Sequence, residues 1–269
     1  MLKRLNEVKQ VQTGITTRCN SHCRFCFREE LLRSKNGHEM LFKDNPYDLP
    51  FDIYKRIFLD TKLTDVQFCG NKGDAIFHPE FNKILDYTID QGVFISLATN
   101  GSAFSENWWR ELGKRMKGEV TFAIDGIDED THAIYRGTSF VKVLKNMMAF
   151  IQGGGRARWQ FIVFKHNEHQ LKEAKEQSKK MGCQQFITVI SRFYDDIIQR
   201  PSIVKTKREL YREGNSIFDK YPNIKKHIPS KITCQWIKMK RVYMSSRGRI
   251  YPCCYIPCNT HDWYTAPRY

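Results

Sequence analysis

No apolar run in this chain of 269 residues reaches the roughly 18 that a membrane-spanning helix requires, so no such span is expected. An apolar h-region is missing too. Met1-Leu2-Lys3-Arg4-Leu5-Asn6-Glu7 starts positive and then turns polar, which is not the pattern of a signal peptide. Acidic residues are scarce: 29 Asp plus Glu stand against 44 Lys plus Arg, a net charge of +15. The excess is uneven, with 15 Lys plus Arg and 5 Asp plus Glu between Ser191 and Tyr251. Such a stretch suits an acidic partner, whether nucleic acid, an acidic peptide or a phosphorylated small molecule; a solvated basic surface is the plainer explanation. Cysteine, by contrast, is plentiful. Nine of them without a secretion signal predict a reducing, cytoplasmic setting in which thiols serve metals or catalysis rather than disulfides.

What the first cysteine cluster lacks is a fourth member. Thr16-Thr17-Arg18-Cys19-Asn20-Ser21-His22-Cys23-Arg24-Phe25-Cys26-Phe27 carries three cysteines at CxxxCxxC spacing in a polar loop after the short apolar run Val11 to Ile15. Three thiolates can converge there on one metal centre. A structural zinc site takes four protein ligands, and ordinary iron-sulfur sites also fill every corner with cysteine. Three alone leave one iron open to a ligand that is not protein. A zinc knuckle, or three unrelated thiols, is the competing reading.

Strand and helix patterns alternate along the chain. Phe51 to Leu63 has a helical spacing of apolar residues, and Thr64 to Phe68 reads as a short strand. Pro79–Gln91, Ser105–Met116, Phe140–Ile151 and Glu168–Met181 read as helices, and 93–98, 119–124, 157–164 and 185–190 as strands. Arg28 to Pro50, with Asn36-Gly37 and Asn45-Pro46, reads as too broken for a helix. Six strand-helix alternations imply a parallel sheet with right-handed crossovers, curled into part of a barrel whose chemistry lies at the carboxyl ends of the strands.

The CxxxCxxC loop, with an aromatic residue before the last cysteine, resembles the radical S-adenosylmethionine (SAM) enzymes. The resemblance implies an α/β fold, a partial (βα)6 TIM-like barrel. It implies a [4Fe-4S] cluster on Cys19, Cys23 and Cys26 whose open iron takes the amino and carboxylate groups of SAM. Reductive cleavage of SAM would then give a 5′-deoxyadenosyl radical that removes hydrogen from a substrate. Phe25 fits the family position that packs near the adenine. Gly70-Asn71-Lys72-Gly73-Asp74 matches the family's GGE position, which receives the methionine ammonium, with Asp74 in place of Glu and Lys72 in place of Gly. Thr99-Asn100-Gly101 recurs near the SAM ribose. Asp125-Gly126, His132 and Arg136 resemble the family's DG, H and R segment, where Ala123 replaces a serine that contacts SAM in many relatives. Arg136 has a guanidinium fork shaped for the SAM carboxylate. His132 is read as structural. Lys165-His166-Asn167-Glu168-His169 is read as surface with Asn167 as a helix cap rather than as a metal site. Arg192, Tyr194, Asp195 and Asp196, beyond the sixth strand, stand where a substrate could be met.

The last quarter carries a second signal. Cys234 is followed after thirteen residues by Gly248, and after four more by Cys253, in a hairpin of Arg241–Met244 and Arg249–Tyr251. This resembles the start of a SPASM or Twitch extension, which binds auxiliary [4Fe-4S] clusters. The CxxCxxxxxC group that completes such a domain is absent, so one auxiliary site using Cys234, Cys253 and either or both of Cys254 and Cys258 is the most the tail supports; truncation of a longer gene is the other explanation. Cys69 and Cys183 are isolated and receive no ligand role. The chain thus divides into a core barrel over 11–190, a basic, helical connector over 191–230, and a small cysteine-rich β-hairpin extension over 231–269. The expected activity is that of a radical SAM oxidoreductase acting on a peptide or protein side chain, supplied with electrons by a flavodoxin or ferredoxin. The alternatives are a nucleic-acid or nucleotide-modifying radical SAM enzyme, a non-enzymatic zinc-binding module and an inactive fragment.

Overall fold

In the computed structural model, residues 5–33, 47–70, 72–191, 199–202 and 234–254 are described. Asn71, Cys258, the 192–196 candidates and nearly all of the basic connector lie outside them. Strand β1 (Gln10–Thr13) leads through the cysteine loop into α1 (Phe27–Arg33), and α2 (Phe51–Asp60) leads into β2 (Asp65–Phe68). The alternation continues with α3 (Phe81–Asp90), β3 (Phe94–Thr99), α4 (Glu106–Arg115) and β4 (Gly118–Ala123). Two helices follow, α5 (Glu129–Arg136) and α6 (Phe140–Gln152), then β5 (Arg156–Val163), α7 (Leu171–Lys180) and β6 (Gln185–Ile190). The tail adds the short α8 (Gln235–Lys238), β7 (Arg241–Met244) and β8 (Ile250–Tyr251).

Strands β1 to β6 pair in parallel with sequential neighbours, as helical crossovers require. The full order is β6-β5-β4-β3-β2-β1-β7-β8, so the sheet is open, with β6 and β8 at its edges. The tail hairpin does not stand apart from it. β7 runs parallel to β1 in the register Gln10↔Arg241 to Thr13↔Met244, and β7 and β8 pair antiparallel.

Apolar alternation explains the layering. β3 reads half-buried and buried in turn along Phe94 to Thr99, while Trp109, Phe122, Phe150 and Trp159 are fully buried between sheet and helices. Helix starts are set by serine and aspartate caps: Ser105, Asp128 and Ser139 accept from the N–H groups of Trp108, Thr131 and Lys142. Gly137, at φ +65°, closes α5 in the left-handed conformation.

Two expectations need correction. The stretch read as too broken for a helix begins with one, α1, because Phe27-Arg28-Glu29-Glu30-Leu31-Leu32-Arg33 is a run of helix formers with its acids in the first turn. Asn167 caps no helix with its side chain: its Oδ1 accepts from Phe164 N at 2.7 Å, and its Nδ2 donates to the carbonyls of Asp125 and Ile162 at 3.0 and 2.9 Å. It ties the ends of β4 and β5 together instead.

Candidate active site

The cysteine loop is pinned from below before any ligand is considered. Thr17 N donates to Tyr47 O at 3.1 Å, and Leu49 N to Ile15 O at 2.8 Å. Asp48 accepts from Thr16 Oγ1 at 2.6 Å and from Arg18 Nε at 2.9 Å. At the far end Phe25 adopts φ +62°, a left-handed conformation that an aromatic residue rarely takes, and Cys26 N reaches back to Cys23 O at 3.1 Å. This turn brings Cys26 to the start of α1.

Each of the three sulfurs meets polar partners. Cys19 Sγ accepts from Ser21 N at 3.4 Å and from Asn100 Nδ2 at 3.6 Å. Cys23 Sγ lies 2.9 Å from Ser21 Oγ and 3.8 Å from Arg136 Nη1. Cys26 Sγ receives the backbone N–H groups of Arg28 and Glu29. Burial nevertheless dominates, with the negative charge of Asp74 adding to it, and pushes the Cys19 thiol up to about 12; burial and Cys23 also raise Cys26. Such thiols ionise only when a cation replaces the proton. Among the described residues no three or more His, Cys, Asp or Glu side chains are placed to share a single metal ion. Iron-sulfur ligation makes a different demand, since each thiolate takes its own iron, and sulfurs met by N–H donors within a dry loop suit it.

The β2 and β3 ends close over this loop. Gly73 lies so near it that a Cβ there would sit 2.4 Å from Thr16 O, and Asp74 N donates to Arg18 O at 2.8 Å. Gly70 packs against Gly73 itself. Asp74 is buried, and its carboxylate accepts from Thr99 Oγ1 at 2.9 Å, Asn100 N at 2.7 Å and Ile76 N at 3.4 Å. Burial outweighs these bonds and raises it to about 6. Asn100 continues the network, donating to Asn20 Oδ1 at 2.9 Å, while Asn20 Nδ2 donates to Ser102 Oγ at 2.9 Å. Asp74, Thr99 and Asn100 are therefore brought together beside Cys19.

Asp125 and Arg136 converge on Cys23 from the other side. Arg136 Nε donates to Asp125 Oδ2, and Asp125 Oδ1 accepts from Ile162 N at 2.5 Å. Burial pulls the arginine down, but Asp125 and Cys23 hold it above its ordinary value and keep it charged. Its guanidinium thus spans a carboxylate and a sulfur within the chain itself. His132, fully buried, accepts from Asp125 N at Nδ1 over 3.2 Å and meets Thr138 Oγ1 at Nε2 over 3.0 Å. Burial lowers it to about 3, so it is neutral and structural. Phe25, Ile162 and Cys26 pack on a small apolar cluster of Cys23, Tyr135 and Phe164.

Sequence reasoning missed Asn20, Ser21, Ser102 and the buried pair Arg28–Glu29, in which Arg28 Nη1 lies 2.5 Å from Glu29 Oε1 and Arg28 Nε donates to Thr17 O at 2.9 Å. Asn20 and Ser21 lie inside the cysteine loop, Arg28 and Glu29 directly follow it and Ser102 directly follows the Thr99-Asn100-Gly101 turn, and that position was the available signal. In the tail, Cys234 precedes α8 and Cys253 and Cys254 follow β8. Cys69, given no role from sequence, is raised to about 11 by burial and then by Cys254.

Residues 13–177, more than half of the chain, match the model of the Radical SAM superfamily. The tungsten-containing aldehyde ferredoxin oxidoreductase cofactor-modifying protein of Pyrococcus furiosus is 21% identical over 91% of this chain and 71% of its own length. The antilisterial bacteriocin subtilosin biosynthesis protein AlbA of Bacillus subtilis is 23% identical over 90% of this chain, which spans only 54% of AlbA. Among solved structures, Streptococcus suis SuiB bound to precursor peptide SuiA superposes with a TM-score of 0.64 at 16% identity, covering 96% of this chain and 62% of SuiB. That likeness is one of fold.

Proposed function

The chain belongs to the radical SAM superfamily and is a SAM-dependent enzyme, and from that premise we propose that Cys19, Cys23 and Cys26 hold its [4Fe-4S] cluster and that the ends of β2, β3 and β4 hold SAM. The observation that carries the assignment is that each of these three sulfurs is met by its own hydrogen-bond partners. When bound, the cluster supplies one electron for cleaving SAM to methionine and a hydrogen-abstracting 5′-deoxyadenosyl radical. The chain supplies the rest. Asn100 orients Cys19, Ser21 and Arg136 orient Cys23, and the first turn of α1 orients Cys26. Phe25, Tyr135, Ile162 and Phe164 exclude water beside Cys23 and Cys26. Phe25, Gly70, Asn71, Gly73, Asp74, Thr99, Asn100, Asp125 and Arg136 form the SAM cradle. Within it Asp74 and Asp125 act by fixing backbone and Arg136, because their carboxylates are already engaged by the chain.

The substrate is a peptide or protein side chain. This reading is supported by the SuiB structure, which holds a precursor peptide, and by AlbA, a bacteriocin biosynthesis protein. A flavodoxin or ferredoxin supplies the electron in the cytoplasm; among the described residues no helix is long and apolar enough to cross a membrane. The thiolates Cys234, Cys253, Cys254 and Cys258 suffice for one auxiliary [4Fe-4S] cluster in the tail. Two measurements test the central assignment. After anaerobic reconstitution, changing Cys19, Cys23 and Cys26 together to Ala is expected to remove about four irons with their sulfide and to abolish dithionite-dependent formation of 5′-deoxyadenosine. Retained cleavage would overturn it.

A further inference from the structure

Ser245-Ser246-Arg247-Gly248 turns the chain from β7 into β8, with Ser245 N donating to Arg249 O and Gly248 N to Ser245 O, both at 2.9 Å. Gly248 adopts φ +72°, and a Cβ there would lie 2.7 Å from Ile53 Cγ2 and 3.5 Å from Leu49 Cδ1. Glycine therefore lets this turn settle directly on the segment that leads into α2. One residue earlier, Arg247 carries its guanidinium over the ring of Tyr47, with Cζ 4.0 Å from the centroid. A cation so placed is attracted by the negative face of the ring.

Tyr47 in turn holds the cysteine loop. Its N–H donates to Thr17 Oγ1 and its carbonyl accepts from Thr17 N, each at 3.1 Å, and the adjacent pair of Thr16 and Asp48 forms a β-bridge. Thr17 stands two residues before Cys19, and its own carbonyl accepts from Arg28 Nε, two residues after Cys26, at 2.9 Å. One threonine thus joins both ends of the loop. Tyr47 can serve it only while its own position is fixed. Leu49, fully buried, fixes one end of that segment, and Arg247 fixes the other. At the base of the loop Gly14 N donates to Met244 O at 3.2 Å, so the hairpin touches the approach to the cysteines twice. Neither contact uses a thiol of the tail.

We propose that Arg247 is a positioning residue for the cluster site: by holding the Tyr47 ring it keeps the Tyr47–Thr17 pair closed, and with it the loop that carries Cys19, Cys23 and Cys26. This rests on the assignment of those three cysteines to the cluster. The tail then serves the active site through its turn, whether or not its own thiols take a metal.

The test uses the full chain, before and after anaerobic reconstitution, as wild type, Arg247→Gln, Arg247→Lys, Tyr47→Leu and the Arg247→Gln, Tyr47→Leu double variant. Two rates are read: hydrogen exchange of the backbone amides of residues 14–20, and loss of iron to bathophenanthroline sulfonate. Both scale with the fraction of time the loop is open. Loss of an exposed cation–π contact is expected to speed each about two- to fivefold in Arg247→Gln. Arg247→Lys, which keeps a cation over the ring, should stay near the wild type. Tyr47→Leu should match Arg247→Gln, and the double variant should be no faster than either single one, because the two side chains act as one contact. Exchange in β3 should not change, which separates a local effect on the loop from a general loss of stability. Equal exchange of the loop in Arg247→Gln and wild type overturns the proposal, as does a double variant whose acceleration is the product of the two single ones. Faster exchange with unchanged iron loss overturns it too, since the loop would then open without releasing the cluster. A wild type that takes up no cluster removes the assignment of the three cysteines, while exchange in the same unloaded chain still decides whether Arg247 holds the loop.

Discussion

His132 shows how a residue that the family pattern marks can serve the site without touching a ligand. Its Nδ1 must stay unprotonated to accept from Asp125 N, and burial lowers its pKa to about 3. The unfolded chain binds a proton there below about 6.5 while the folded chain does not, so stability is retained above 6.5 and lost as pH falls toward 3. Urea titrations from pH 7.5 to 4 should show a stability slope approaching about 1.4 kcal/mol per pH unit from this one group, and His132→Gln should flatten it; an unchanged slope would mean that the ring titrates normally. At this scale the grouping of the three cysteines in one loop was legible from spacing alone. Asn20, Ser21 and Ser102 were not, because a hydrogen-bond partner is defined by loops from β1, β3 and α5 meeting in space. Asp74 and Arg136 were singled out by position, but their engagement with Asn100, Thr99 and Asp125 appears only once the strands are assembled.

Elements were easier to read than contacts, since β2 to β6 and the helices α2, α3, α4, α6 and α7 follow from apolar periodicity with ends shifted by only a few residues, while the short α5 was not read as a helix. Helix α1 escaped because its seven residues are mostly charged, and a short polar helix leaves little periodic trace. The GNKGD turn was read as a ligand cradle, but its glycines first of all admit the cysteine loop. Gly73→Ala would set a methyl group against Thr16 O and the Thr17 and Arg18 backbone. The variant is expected to fold, with far-ultraviolet circular dichroism unchanged, yet to take up less than half of the wild-type iron on reconstitution. Full iron uptake would show that the two loops can separate without harm to the cluster.

Across the whole molecule, the tail behaves as part of the barrel sheet. Val242, on β7 and 6% exposed, packs in the main core, whereas Ile250 on β8 is 39% exposed. Val242→Asp should cost about 3 kcal/mol or more through an unpaired buried charge, and Ile250→Asp less than about 0.5 kcal/mol, both read from urea midpoints. The metal content of the tail is a separate matter. Replacing Cys234 and Cys253 by Ala should lower iron by about four per chain if the auxiliary cluster forms, with SAM cleavage retained; no fall would leave these thiols without a metal.

The pairing of β7 with β1 also sets a clock. The strand that launches the cysteine loop gains its second neighbour only when Arg241 to Met244 have been made, more than two hundred residues after Gln10 to Thr13. At ordinary rates of synthesis that interval is on the order of 10 to 50 s. For that time β1 offers a bare edge on the nascent chain. Iron and sulfide delivered earlier would meet a loop whose base is half built, so loading of a cluster there belongs after Arg241 to Met244 have paired with β1.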